Sequence, residues 1–63
     1  MYINFYTELK RRNWTQKDLA DFLGITVTSC NQRLLGHFEW GIKDIKKCLK
    51  EFNCTFEYLF EER

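Results

Sequence analysis

The sequence predicts an all-α fold, a compact bundle of five short helices built around a helix-turn-helix. Three observations predict it. Apolar residues recur at i, i+3, i+4 and i+7, the spacing of one helix face. No proline occurs among the 63 residues and only three glycines, which suits a compact helical chain. Each proposed helix start also has an apolar residue before its cap and another five places later: Trp14 with Leu19, Ile25 with Cys30, Trp40 with Ile45, Cys54 with Leu59. That is the spacing of the hydrophobic staple, which sets the angle at which chain enters helix.

The first helix carries Tyr2, Phe5, Tyr6 and Leu9 on one face, and Lys10, Arg11 and Arg12 close it near the negative end of its dipole. Asn13 supplies the turn, being a residue that tolerates positive φ. Thr15 then caps a second helix through its hydroxyl, with Asp18 three residues on at the positive helix start. Leu19, Phe22 and Leu23 form its apolar face, Ala20 allows close approach of another helix, and Gly24 ends it. Thr26 caps a third helix whose inner face is Cys30 and Leu34, and Gly36 stops it.

The stretch from Thr15 to Gly36 is therefore two short helices joined by a tight turn, the helix-turn-helix arrangement. In that arrangement the second helix is held out from the body, so its polar face can enter a DNA major groove. The spacing Ala20, Gly24, Ile25 is what the close crossing and the sharp turn require. An ordinary αα-hairpin in a small bundle is the plainer reading of the same residues. The basic run Lys10 to Arg12 likewise has two readings, helix-end charges in water or contact of one of them with a DNA phosphate.

After the motif comes a loop, His37 to Trp40, and Gly41 opens a fourth helix with Ile42, Ile45, Cys48, Leu49 and Phe52 on its apolar face. Lys43, Lys46, Lys47 and Lys50 fall outside that stripe and read as a solvated face, with Lys43 kept as a binding residue because it lies near the motif. Asn53 is a left-handed cap, Thr55 starts a last short helix over Phe56 to Phe60, and Glu61, Glu62 and Arg63 form a polar tail. One domain over residues 1–63 accounts for the whole chain, with no repeat, linker or low-complexity segment.

Composition bounds the function. Hydrophobic residues are 44% and aromatics 17%, so large rings build the core. No apolar run is long enough to span a membrane and no signal-peptide pattern opens the chain, so a cytoplasmic protein is expected. A net charge of +1 neither argues for nucleic acid nor forbids it. Cys30, Cys48 and Cys54 form no metal-binding spacing, and His37 is the one histidine, so no metal and no cofactor are expected and the cysteines read as largely buried, reduced thiols. Nor is an enzyme indicated, since no nucleophile sits with a base and no glycine-rich loop could cradle a phosphate.

The run TQKDLADFLGIT, the later RLLG at Arg33 to Gly36, the apolar Trp40, Ile42 and Ile45, and the ending NCTFEYLF together resemble the XRE family of helix-turn-helix regulators, the phage Cro and lambda-repressor type. The resemblance runs from about Phe5 to Phe60. It implies a five-helix, lambda-repressor-like DNA-binding domain that represses or switches promoters, usually as a dimer, and a phage or prophage origin in a bacterial host.

Roles carry over where residues match. Val27, Thr28, Asn31 and Gln32 occupy the positions of the recognition helix, Val27 to Leu35, that in relatives meet base edges. Of these Gln32 has the best chemistry, since its amide can pair bidentately with adenine N6 and N7, and Thr28 and Val27 can touch a thymine methyl. Gln16, Lys17, Ser29, Arg33, His37 and Lys43 are the expected phosphate contacts. Two departures stand out: Val27 cannot hydrogen-bond a base, and Arg33 stands where relatives carry an apolar residue, which moves the packing slot to Leu34.

Two functional classes follow. One is a sequence-specific regulator of double-stranded DNA, pairing as a homodimer through its own surface, with Phe56, Tyr58 and Phe60 as candidates although Leu59 and Phe60 suit the core better. The other is an antirepressor-like modulator that keeps the fold and binds another phage regulator protein, through Tyr2, Tyr6, Phe38 and Tyr58.

Overall fold

Thr, Gly and Asn divide the chain where the sequence places them. The computed structural model describes residues 1–62 and contains five helices: α1 (Ile3–Arg11), α2 (Gln16–Leu23), α3 (Val27–Leu35), α4 (Ile42–Phe52) and α5 (Phe56–Leu59). No strand occurs among the described residues. Arg63, assigned with Glu61 and Glu62 to the polar tail, lies outside the described residues.

The helix ends follow from local chemistry. Thr15 Oγ1 accepts from the Asp18 backbone N–H at 3.2 Å, and Asp18 Oδ2 accepts from the Thr15 N–H at 2.8 Å. Two backbone donors that the helix start leaves without partners are thereby satisfied. The Thr15 N–H, with its hydroxyl second, holds the Asp18 carboxyl below its ordinary range. Thr26 caps α3 on the Ser29 N–H, and Thr55 caps α5 on the Tyr58 N–H. Gly24 (φ 72°) and Gly36 (φ 87°) end α2 and α3 in the left-handed region, and Asn13 and Asn53 adopt it at φ 56° and 52°.

Each helix contributes one or two residues to the core. Phe5 and Leu9 come from α1, Leu19 and Ala20 from α2, Cys30 and Leu34 from α3, Cys48 and Phe52 from α4, and Leu59 from α5. The slot in α3 is Leu34, as the sequence implied. Phe5 is the hub: its ring stacks on Trp40 at 5.1 Å and meets Phe52 and Phe60 edge-on, each at 5.6 Å. Trp14 bridges α2 and α4, edge-on to Phe22 at 5.5 Å and to Phe52 at 5.3 Å. All four leading residues of the staple pairs, Trp14, Ile25, Trp40 and Cys54, pack against the core.

Three side chains depart from the sequence reading. Ile42, assigned to the apolar stripe of α4, is 69% exposed, because it occupies the first position of the helix, ahead of the turn that reaches the core. Lys47, read as solvated, donates to the Phe22 carbonyl at 2.6 Å with its ammonium 4.4 Å from the Phe22 ring centroid. A carbonyl in the last turn of α2 has no helical partner, and a cation at that negative end satisfies it. Arg12 is neither a water-facing charge nor a free phosphate ligand. Its guanidinium donates to Glu8 Oε1 and to the Phe52 carbonyl, both at 2.7 Å, and lies over the Phe52 ring.

Glu8, which the sequence reading passed over, is 3% exposed. Its second oxygen accepts from the Tyr58 hydroxyl at 2.9 Å and faces Arg11 at 3.6 Å. The Arg12 hydrogen bond, above all, holds its carboxyl below the ordinary value of 4.5; burial opposes, and the Tyr58 bond and Arg11 add to the lowering. A depressed carboxyl contributes stability above its ordinary value and loses it as pH falls through the lowered one. Thermal melts should therefore show Glu8→Gln less stable than the parent by about 1.5–3 kcal/mol at neutral pH, the cost of a hydrogen bond to a charged group. That gap should narrow steadily below about pH 4.5. A gap independent of pH would mean that Glu8 acts by shape alone.

Candidate nucleic-acid interface

In α3 only Cys30 and Leu34 are fully buried, and the side opposite them is left to offer. At 3.6 residues per turn, Thr28 and Gln32 fall on the side of α3 opposite that pair. Val27 (46% exposed) and Thr28 lie on the open first turn, while Ser29, Asn31 and Gln32 are half-buried. Here the polar surface is made of short, uncharged groups that can meet base edges, with the Val27 and Thr28 methyls for apolar contact.

Arg33, expected to face a phosphate, is turned inward. Its guanidinium donates to Asp44 Oδ2 at 2.6 Å and lies 5.7 Å from the Trp40 ring centroid, with 18% of its side chain exposed. A charge so placed is committed to a carboxylate on α4, so Arg33 serves as a strut for α3. The Trp40 indole N–H adds to it by donating to the Arg33 carbonyl at 3.3 Å. The pairing joins residues 11 apart in sequence across a loop, and no local pattern announces it.

His37 is also engaged within the chain. Its Nδ1 lies 2.8 Å from Gln32 Oε1, so the structure brings together one residue assigned to bases and one assigned to phosphate. Lys17, on the first turn of α2, pairs with Asp21 at 3.0 Å, both side chains being more than half exposed. Asp21 raises the Lys17 ammonium above its ordinary value, so the charge is secure, and an exposed pair of this kind exchanges readily for another anion. Gln16 is half-buried at the start of α2, beside Tyr6, Trp14 and Lys10 in a shallow groove. Lys43 is exposed on the first turn of α4.

The cysteines take no part in this surface. Cys30 and Cys48 are buried thiols and Cys54 is half-buried. Burial, and then the Asp44 carboxylate, pushes Cys48 up to about 12. Among the described residues no group of three His, Cys, Asp or Glu side chains could hold a metal ion.

The strut role of Arg33 can be measured. A double-mutant cycle with Arg33→Met and Asp44→Leu, followed by thermal unfolding, should give a coupling of about 1–2 kcal/mol for a largely buried, hydrogen-bonded pair. A coupling near zero would return Arg33 to the pool of surface cations.

Against known proteins, residues 6–59 match the family model described as helix-turn-helix. No curated protein and no solved structure matches the chain. The matched span covers the greater part of the sequence and all of α2 and α3, and it agrees with the capped hairpin, the left-handed Gly24 and the outward polar face of α3. The chain belongs to the XRE family of helix-turn-helix DNA-binding regulators.

Proposed function

We propose that this protein is a sequence-specific transcription regulator of the Cro or repressor type, which lays α3 in the major groove of double-stranded DNA. The observation that carries this reading is the division of α3: Cys30 and Leu34 are fully buried, the opposite face presents Thr28 and Gln32, and Val27 is left exposed at the helix start. Gln32 reads a base through its amide, Val27 and Thr28 contact thymine methyls, and Asn31 lies at the edge of the reading face. Lys17, Gln16 and Lys43 meet phosphates, with Ser29 beside the capped start of α3. Arg33 is left out of this set because Asp44 holds it.

One recognition helix spans few base pairs, so two copies on a pseudo-palindrome, with half-sites about 34 Å apart, supply the specificity. Phe56 and Tyr58, 48% and 38% exposed, are the pairing residues of α5, whereas Leu59 is buried and Phe60 packs in the ring cluster. A regulator of this kind works in the cytoplasm, and a phage or prophage source in a bacterial host fits the Cro-like pattern of the recognition helix. No helix among the described residues is long and apolar enough to cross a membrane.

A second reading, an antirepressor-like modulator that binds another regulator, is favoured by Phe38, a 52% exposed ring in the loop after α3. Tyr2 and Tyr6 pack against the core and drop out of that proposed surface.

Selection of bound fragments from a randomised duplex pool separates the two readings. The DNA reading expects a two-fold-symmetric winner whose log affinity falls linearly with log salt. Folded protein that enriches nothing at low salt would move the assignment to the modulator. On the selected site, Gln32→Ala should cost about 1–3 kcal/mol at one base pair, while Lys17→Ala should weaken all sequences alike and reduce the salt slope by about 1. Equal losses on every sequence would show that reading and clamping are not divided in this way.

A further inference from the structure

We infer that His37 is a positioning residue for Gln32, fixing the orientation in which its amide meets a base. This rests on the reading of Gln32 as a base contact. Gly36, at φ 87°, reverses the chain at the end of α3. The His37 backbone N–H then donates to the Gln32 carbonyl at 2.9 Å, which returns the imidazole to the residue five places earlier. Its Nδ1 reaches Gln32 Oε1 at 2.8 Å. An amide oxygen only accepts, so Nδ1 carries the proton.

This bond leaves Gln32 able to read. An amide oxygen has two lone pairs, and the His37 bond occupies one. The other can accept from adenine N6 while the Gln32 side-chain NH₂ donates to N7. With its oxygen anchored, the amide is held against the flip that would exchange donor and acceptor, and the rotamer freedom lost on binding has already been surrendered in the free protein. The same bond argues against a phosphate role. With the proton on Nδ1, the Nε2 of a neutral ring presents a lone pair, which a phosphate oxygen cannot accept.

Two measurements on the full chain test this. In the free protein at about pH 8, where an ordinary imidazole is neutral, long-range ¹⁵N–¹H spectra should show His37 protonated on Nδ1. Predominant protonation on Nε2 would overturn the proposal whether or not DNA binds. On the selected duplex, His37→Ala should reduce the preference at the Gln32 base pair by about 2- to 10-fold, as expected for one side chain no longer held before binding. Other positions and the salt slope should stay unchanged, and His37→Ala should add nothing in a Gln32→Ala background. A uniform loss on all sequences with a smaller salt slope, in both backgrounds, would make His37 a phosphate contact and overturn the inference. If Gln32→Ala shifts a base preference and His37→Ala does not, the inference fails alone. If Gln32→Ala shifts none, the base-reading role fails and the inference with it.

Discussion

A helix proposed to read DNA must keep its outer face clear of the fold, and that constraint is visible in how α3 is held. With two buried side chains, Cys30 and Leu34, α3 has little apolar area of its own to hold it. The remainder is supplied at its ends. Thr26 caps the first turn, and three of the last carbonyls are taken: Gln32 by the His37 N–H, Arg33 by the Gly36 N–H and the Trp40 indole, Leu34 by the Tyr2 N–H at 3.0 Å. The Arg33–Asp44 pair then ties the flank of the helix to α4. The outcome is a helix fixed from behind and from both ends, with its front left open.

The rest of the bundle follows the same economy. The nine buried apolar residues of the described core make a small core, and Cys30, Cys48 and Cys54 form no cross-link within it. Aromatic rings make up part of the deficit around Phe5. Polar clasps supply more: Arg12 joins α1 to the end of α4 through the Phe52 carbonyl, Tyr58 joins α5 to α1 through Glu8, and Lys47 joins α4 to the end of α2. In each case a cation or hydroxyl meets an acceptor that burial or a helix terminus would otherwise leave unsatisfied. Several of the basic residues thus serve the fold, which makes the net charge a poor guide to what this surface binds.

Helix boundaries were legible in the sequence because they are set by short-range chemistry. Thr15, Gly24, Thr26, Gly36 and Asn53 act through their own backbone and hydroxyl geometry, and the structure places the helix ends at them. The core was legible from periodicity, apart from Ile42, where the stripe began one turn too early, and Ile45, which is half-buried beside the core cluster. What escaped was long-range polar pairing. Arg33 reads as a phosphate ligand, Lys47 as a solvated charge and Arg12 as a helix-end charge until Asp44, Phe22 and Phe52 are seen beside them. Glu8 and Arg12 did leave a trace, being four residues apart with opposite charge. Nothing in the sequence marks a buried carboxylate between Phe5 and Leu9. The Gln32–His37 contact was hidden in the same way, since it depends on the chain reversal at Gly36.

The most direct test of the account is a map of backbone amide shifts as the folded chain is titrated with a duplex it has selected. The largest changes should fall on Val27, Thr28 and Gln32 of α3 and on Gln16 and Lys17 at the start of α2. Buried Cys30 and Leu34 should move little. Changes concentrated on Phe38 and the face of α5, with the outer side of α3 unmoved, would contradict the claim that the open front of this helix is what meets DNA.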